Sequence, residues 1–137
     1  MTNGRMLFDS SVWIDFLSIR KSHQAISLQK CLSEESPLYI CKPIIQEVLQ
    51  GIRDDSQYNE VENLIESLDI LSEKGTKDVI GASKIYRFLR KKGITIRKPN
   101  NCLIAWYAIN HDLILVHNDR DFDLIAAHTP LKIYQPT

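Results

Sequence analysis

The sequence lacks the features that mark membrane, secreted and thiolate-metal proteins. No apolar run approaches the roughly 20 residues that span a bilayer, and the polar start, Met1 to Arg5, has no apolar signal core. The three cysteines form no CxxC pair, and an odd number without a signal suits a reducing compartment. We therefore expect a soluble, cytoplasmic protein whose cysteines are buried apolar thiols.

The sequence also has no excess of positive or negative charge. The 17 Lys and Arg side chains balance the 17 Asp and Glu side chains, so no overall field attracts a polyanion. A nucleic-acid ligand would need a local basic patch or metal ions to offset phosphate repulsion. One concentrated positive stretch exists, and it is either a solvated helix face or a track for nucleic-acid phosphates. Its members are Arg87, Arg90, Lys91, Lys92, Arg97 and Lys98.

The chain length and the apolar pattern predict the fold class. A chain of 137 residues without repeats or Gly/Pro-rich linkers fits one domain, 1–137. Short apolar runs alternate with helical patterns, which predicts an α/β domain with a mainly parallel sheet. Strands are predicted at Arg5–Phe8, Leu38–Cys41, Ile70–Leu71 and Leu113–Val116. Helices are predicted at Val12–Leu17, with Ser10 or Ser11 as its cap, Ser22–Glu35, Pro43–Gly51, Tyr58–Leu68, Val79–Lys92, Leu103–Asn110 and Leu124–Ala127.

Carboxylates follow three of the predicted elements. Asp9 directly follows the first strand, Glu47 lies in the helix after the second strand, and Asp119 and Asp121 follow the last strand. Ligands of such sheets gather at the carboxyl ends of the strands, so these acids are expected to converge. Converging carboxylates repel one another unless a cation neutralises them, and oxygen-only ligands suit Mg²⁺ or Mn²⁺. Taken singly, each Asp is explained equally well as a helix cap.

The segments that carry these acids resemble the PIN domains, and specifically the VapC toxins of bacterial toxin–antitoxin pairs. Each segment alone is a weak signal, whereas four in family order are a strong one. The segments are Leu7–Asp15 (LFDSSVWID), Pro43–Gly51 (PIIQEVLQG), Arg97–Ala105 (RKPNNCLIA) and Val116–Ala126 (VHNDRDFDLIA). The resemblance implies a three-layer α/β/α sandwich, an Mg²⁺- or Mn²⁺-dependent endoribonuclease acting on a structured RNA such as a tRNA, a homodimer, and a VapB-like antitoxin partner.

The resemblance also implies roles for individual residues. Ser11 resembles the hydroxyl residue that supports the first Asp, whereas Asp15 resembles a structural or substrate-side acid. Arg97 and Lys98 are candidate RNA contacts because they adjoin position 101. The implied catalytic residues are Asp9, Glu47, Asn101, Asp119 and Asp121, and the implied metal ligands among them are Asp9, Asn101, Asp119 and Asp121, with Glu47 as a further metal-binding acid.

Asn101 departs from the family pattern, which has Asp at this position. An amide carries no charge and offers a single carbonyl oxygen, so the substitution should weaken a divalent-cation site. We consider two explanations: an engineered inactive variant of an active toxin, or a natural PIN domain that is weakened or non-catalytic.

Two other interpretations of the chain remain open at this point. A silent PIN domain would bind RNA or an antitoxin without cleavage, and Asn101 favours it. A response-regulator receiver also has strand-end acids, but it needs paired early acids and a Lys after a later strand, which this sequence does not offer. The histidines have no ligand spacing and suggest surface positions, with His117 as the exception because it adjoins the last acids.

Overall fold

Five short strands form one sheet in the computed structural model, which describes residues 5–19 and 22–135. The strand order is β3-β2-β1-β4-β5, and every pairing is parallel. In register, Leu7 of β1 lies between Tyr39 of β2 and Leu115 of β4. The strands are β1 (Met6–Phe8), β2 (Tyr39–Ile40), β3 (Asp69–Ile70), β4 (Ile114–Val116) and β5 (Lys132–Ile133).

Helices connect the strands, as parallel pairing requires. Within the described residues α1 packs on α2 and α3, α3 on α4, and α6 on both α5 and α7. The helices are α1 (Ser10–Leu17), α2 (His23–Ser33), α3 (Lys42–Gln50), α4 (Asp55–Glu66), α5 (Thr76–Lys91), α6 (Asn100–Asn110) and α7 (Arg120–Ala126). The predicted α/β/α sandwich with a parallel sheet is thereby confirmed.

The central strands are buried because helices cover the sheet. Leu7 and Phe8 of β1 and Leu115 and Val116 of β4 are fully buried. Trp13 of α1 is fully buried as well and belongs to the same core. The apolar runs that predicted these strands are therefore the middle of the core.

Several element boundaries differ from the prediction. Helices α4, α5, α6 and α7 begin at Asp55, Thr76, Asn100 and Arg120, which is three or four residues before their predicted starts. Their first turns are mostly polar, and a single apolar residue such as Phe122 in α7 gives no period, so the pattern did not reveal them. The edge strand β5 was not predicted because two residues carry no alternation.

Strand β1 marks the place where the chain changes direction across the sheet. The chain runs outward from β1 through β2 to β3, and then crosses to β4 on the other side of β1. Such a switch opens a crevice at the carboxyl ends of the two strands. Asp9 follows β1 and Asp119 lies beyond the end of β4, so both acids are at this crevice.

Two of the three cysteines are buried as the sequence analysis predicted, and the third is not. Cys41 and Cys102 are buried and Cys31 is half-buried. Burial raises the pKa of the Cys41 thiol to about 12 and that of Cys102 to about 11. Among the helices of the described ranges, none has the length and apolar character to cross a membrane. The polar start of the chain, residues 1–4, lies outside the described residues.

Candidate active site at the carboxyl ends of β1 and β4

Asp9 joins the end of β1 to the start of α1. Its Oδ2 accepts hydrogen bonds from the Ser11 backbone N–H at 3.1 Å and from the Ser11 hydroxyl at 2.6 Å. Asp9 is therefore the N-cap of α1. The prediction of Ser10 or Ser11 as the cap is wrong because the carboxylate one residue earlier reaches the free N–H of the first turn.

The carboxylate of Asp9 is deeply buried. The residue is 2% exposed, and its Oδ1 has no hydrogen-bond partner among the described residues. Burial raises the pKa of Asp9 above its ordinary value, and the Glu47 carboxylate adds to this, against the lowering effect of the Ser11 hydrogen bonds. An ionised Asp9 would thus be stabilised by a cation.

Glu47 lies on α3 and is half-buried. Its Oε1 accepts a hydrogen bond from the Ser10 hydroxyl at 2.9 Å, and its Oε2 accepts one from Asn100 Nδ2 at 3.4 Å. These contacts join α3 to the first residues of α1 and α6. Sequence analysis did not identify Ser10 or Asn100, because nothing in their spacing links them to Glu47.

Asn101 lies in the first turn of α6 and connects two of the acids. Its Nδ2 donates to Asp119 Oδ2 and to Asp121 Oδ2, each at 3.1 Å. The residue is 3% exposed. Because ionised carboxylates only accept hydrogen bonds, the amide nitrogen must be the atom that faces them. The structure therefore brings position 101 into contact with both strand-end acids.

Asp119 is the N-cap of α7 and lies beside two cations. Its Oδ1 accepts from the Asp121 backbone N–H at 3.0 Å, and the Arg97 and Lys98 side chains each approach one of its oxygens at 3.7 Å. Burial acts to raise the pKa of Asp119, but the hydrogen bonds from Asp121 and Asn101, with the two cations, hold it below the ordinary value. Asp119 is thus kept ionised.

Asp121 is held by the chain segment that precedes α6. Its Oδ2 accepts from the Lys98 backbone N–H at 3.0 Å and its Oδ1 from the Arg97 backbone N–H at 3.4 Å. With the Asn101 amide, three donors surround this carboxylate. Arg97 and Lys98 therefore contact the acids through their backbone as well as their side chains.

The loop between β4 and α7 is attached to α1 through Asn118. The Asn118 backbone N–H donates to the Ser11 hydroxyl at 3.0 Å, and its Nδ2 donates to Asp15 Oδ2 at 2.7 Å. Since Ser11 donates to Asp9, one hydroxyl connects the loop to the first acid. Asp15 therefore has a structural contact here. Asn118 lies in the fourth motif segment, but no role was predicted for it because nothing in its spacing links it to Ser11 or Asp15.

A cleft of about 480 Å³ opens beside these acids. Its wall combines carboxylates with three exposed cations, so it can hold a negatively charged ligand beside the acid cluster. The residues that line it are Ser11, Thr95, Arg97, Lys98, Asn118, Asp119, Arg120, Asp121 and Leu124.

The donor atoms fit a hard divalent cation only in part. Carboxylate oxygens are the ligands that Mg²⁺ and Mn²⁺ prefer, and the unpartnered Asp9 Oδ1 agrees with that. However, the Asn101 N–H groups point at Asp119 and Asp121. In the part of the chain that the structure describes, no three His, Cys, Asp or Glu residues are arranged to hold a metal ion. Position 101 thus offers an amide where the family resemblance implies a carboxylate.

Comparison with known families identifies the family to which this chain is related. The family model described as PIN domain matches residues 6–127, a range that includes Asp9, Glu47, Asn101, Asp119 and Asp121. The chain belongs to the PIN domain family. The resemblance stated from the four sequence segments is confirmed.

Curated relatives of this PIN domain are VapC proteins. The chain is 38% identical over 128 residues to the VapC ribonuclease Mb1587 of Mycobacterium bovis and, at the same identity, to the ribonuclease VapC11 of Mycobacterium tuberculosis. The alignment covers 93% of this chain and 96% of each relative. This PIN domain is therefore VapC-like.

Solved structures show the same fold at lower identity. The DNA-bound VapBC of Salmonella typhimurium matches with a TM-score of 0.74 and 22% identity, over 95% of this chain and 96% of that chain. VapBC2 of Rickettsia felis, bound to a promoter DNA fragment, matches with a TM-score of 0.72 and 17% identity, over 94% and 96%. These matches agree with the α/β/α sandwich of the PIN domain.

Proposed function

We propose that this PIN domain is a metal-dependent endoribonuclease toxin of the VapC type, weakened in this chain by Asn101. The observation that carries the proposal is the position of Asn101, whose Nδ2 lies 3.1 Å from an oxygen of both Asp119 and Asp121. Position 101 is thus part of the acid cluster. The names of the relatives at 38% identity, which are ribonucleases, support the reaction class.

The acids have two proposed roles in phosphodiester hydrolysis, which are metal binding and proton transfer. Asp9, Asp119 and Asp121, with a carboxylate at position 101, would hold Mg²⁺ or Mn²⁺, which aligns a water molecule and offsets phosphate charge. Glu47, oriented by Ser10 and Asn100, would accept the proton of the attacking water while the P–O bond to the leaving oxygen breaks, and that oxygen would take up a proton from solvent.

The cations of the cleft orient the RNA. Arg97 and Lys98 are more than half exposed and lie 3.7 Å from Asp119. A phosphate that enters the cleft can therefore bind these side chains next to the acids. The structured RNA that we propose as the substrate, such as a tRNA, would be recognised through its backbone at this place.

The test compares this chain with its Asn101→Asp variant on total RNA, each with Mn²⁺, Mg²⁺ or chelator. We expect the variant to cleave RNA only with metal, at a rate at least tenfold above that of this chain. The control is the double variant Asn101→Asp with Asp9→Asn, which should lose the gain. If Asn101→Asp is folded and cleaves no RNA under any condition, the nuclease proposal is wrong.

A second function, binding without cleavage, is favoured by one observation. The Asn101 amide donates to both Asp119 and Asp121, so the cluster is held together without a cation. In that case the chain binds RNA or an antitoxin as it stands. The same experiment separates the two functions, because a binding module stays inactive after Asn101→Asp.

A VapB-like antitoxin is the proposed protein partner, and a homodimer is the proposed assembly. The similar solved structures include VapBC pairs from several bacteria. Copurification of this chain with the product of an adjacent small gene, and the mass of the complex in solution, test both proposals.

A further inference from the structure

His117 occupies a buried position directly after β4. The residue is 8% exposed, and its ring centroid lies 5.2 Å from that of Phe122, which is fully buried. An imidazole enclosed in this way has little freedom to rotate. Its two nitrogen atoms therefore have fixed directions.

The two nitrogen atoms of His117 have different partners. Nδ1 lies 3.0 Å from the Asp119 backbone N–H, which donates to it, and Nε2 lies 3.2 Å from Asp123 Oδ1. A nitrogen that accepts a hydrogen bond carries no proton. The neutral ring thus has its proton on Nε2, where it donates to Asp123.

The hydrogen bond to His117 is the first of two similar side-chain to backbone hydrogen bonds that follow β4. The His117 side chain accepts from the N–H of Asp119, and the Asp119 side chain accepts from the N–H of Asp121. Each step fixes a backbone position two residues ahead, as in turns made by Asn and Asp side chains. The imidazole therefore sets the backbone of Asp119, and Asp119 sets that of Asp121.

We propose that His117 is a positioning residue that places Asp119, and through it Asp121, in the acid cluster. The side chain acts as a fixed hydrogen-bond acceptor and does not contact the substrate. A misplacement of about 1 Å at such a group is enough to lower a rate 100-fold. The effect on cleavage rests on the function proposed above, whereas the effect on loop geometry does not.

Two substitutions separate the acceptor role from simple packing. In His117→Asn, Oδ1 is two bonds from Cβ, as Nδ1 is, so the acceptor for Asp119 N–H remains. In His117→Gln, Oε1 is three bonds from Cβ and corresponds to Nε2, so that acceptor is lost. Both variants lose the ring contact with Phe122, and both should lower the Tm by a similar amount, about 5 °C.

The first measurement is NMR on this chain and does not need activity. Long-range ¹H–¹⁵N spectra should show His117 with its proton on Nε2, and the Asp119 amide should be protected from hydrogen exchange. We expect His117→Gln to speed exchange of the Asp119 amide at least tenfold and His117→Asn to leave it within threefold. A proton on Nδ1, or equal loss of protection in both variants, overturns the proposal.

The second measurement uses RNA cleavage in the Asn101→Asp background with Mn²⁺. We expect His117→Gln to lower kcat about 10- to 100-fold with little change in KM, and His117→Asn to retain kcat within threefold. An equal loss of kcat in both variants contradicts the positioning role. If Asn101→Asp cleaves no RNA at all, the proposed nuclease function fails while the NMR result still decides the role of His117.

Discussion

At the scale of single residues, position 101 determines whether the acid cluster is stable without metal. The Asn101 amide supplies two N–H groups, one to Asp119 and one to Asp121. A carboxylate there would instead put a third negative charge beside those of Asp119 and Asp121, which is unfavourable in a buried place unless a cation is bound. The amide that we propose to weaken metal binding therefore stabilises the metal-free fold.

Asn101→Asp should for this reason make stability dependent on metal. In chelator we expect the variant to lose about 2 kcal/mol of unfolding free energy, because two buried acceptors lose their donor. Saturating Mn²⁺ should restore that loss through binding to the folded state. Thermal unfolding of both proteins, with chelator and with Mn²⁺, measures the effect.

The matched control for this prediction is Asn59→Asp, an exposed position on α4. It introduces the same chemical change away from the acids, so its stability should change by less than about 0.5 kcal/mol and should not depend on Mn²⁺. Equal stability of Asn101→Asp and this chain in chelator would show that the amide bridge does not stabilise the fold.

At the scale of elements, α5 and α6 are joined by one tryptophan. A Cβ added at Gly81 of α5 would lie 2.5 Å from atoms of the Trp106 ring. The indole Nε1 donates to Asp78 Oδ1 at 2.9 Å, and Asp78 Oδ2 accepts from the Lys74 backbone N–H at 2.6 Å. Close helix packing and the first turn of α5 thus depend on the same ring.

Gly81→Ala should lower stability although alanine is the better helix former. The gain in helix propensity is about 1 kcal/mol, whereas inserting a methyl group against a rigid ring costs about 1–3 kcal/mol. In the Trp106→Leu background the ring is gone, and the same substitution should become stabilising. Urea unfolding of the unchanged chain, Gly81→Ala, Trp106→Leu and the double variant tests this change of sign. An increase in stability on Gly81→Ala with Trp106 present would contradict the prediction.

Asp78 makes the α5–α6 contact dependent on pH. The hydrogen bond from Trp106 is the main cause that holds the pKa of Asp78 below its ordinary value, and the Lys74 N–H adds to it. An acid with a lowered folded pKa contributes stability above its unfolded pKa, about 3.9, and this contribution is lost as the pH falls through the folded pKa.

Asp78→Asn should therefore lower the free energy of unfolding by about 1 kcal/mol at pH 7. Solvent screening keeps this value small, because the residues from Lys74 to Lys77 are exposed. The difference in unfolding free energy between Asp78→Asn and the unchanged chain should become smaller below pH 4. Unfolding curves between pH 3 and 7 check this, and a difference that does not change with pH would rule out a role for the Asp78 charge.

At the scale of the whole molecule, a net charge of zero means that the proposed RNA affinity would have to come from local cations. The cleft places Arg97, Lys98 and Arg120 beside the acids. Each phosphate contact to a single strand contributes about 0.7 to the slope of log affinity against log salt. The location of the cations therefore matters more than their number.

The double variant Arg97→Ala with Lys98→Ala should reduce that slope by about 1.4 and weaken RNA binding at low salt. Lys30→Ala with Arg53→Ala removes two exposed cations that do not line the cleft, and it should leave the slope unchanged. Filter binding of a labelled RNA across a salt series provides the comparison. Equal slopes for both double variants would show that RNA binds elsewhere.

The sequence predicts this molecule well where local pattern decides the structure. The apolar runs around Leu7 and Leu115 identified the central strands, and the four motif segments placed five polar positions at one edge. The sequence could not show contacts between distant polar residues, such as Ser10 with Glu47, separated by 37 positions, or Asn118 with Asp15, separated by 103. Such contacts follow from tertiary packing, which leaves no period in the sequence. The metal-ligand roles stay predictions.

The pairing of β1 with β4 also determines when the site forms during synthesis. Asn118 and Ser11, which connect the two strand ends, are 107 positions apart. A ribosome adds about 5–20 residues per second, so the nascent chain exposes Asp9 several seconds before its partners exist. Until the segment after β4 emerges, the cleft has no Asp119 or Asp121. The acids on the two sides of the cleft can therefore come together only after the segment that follows β4 has been made.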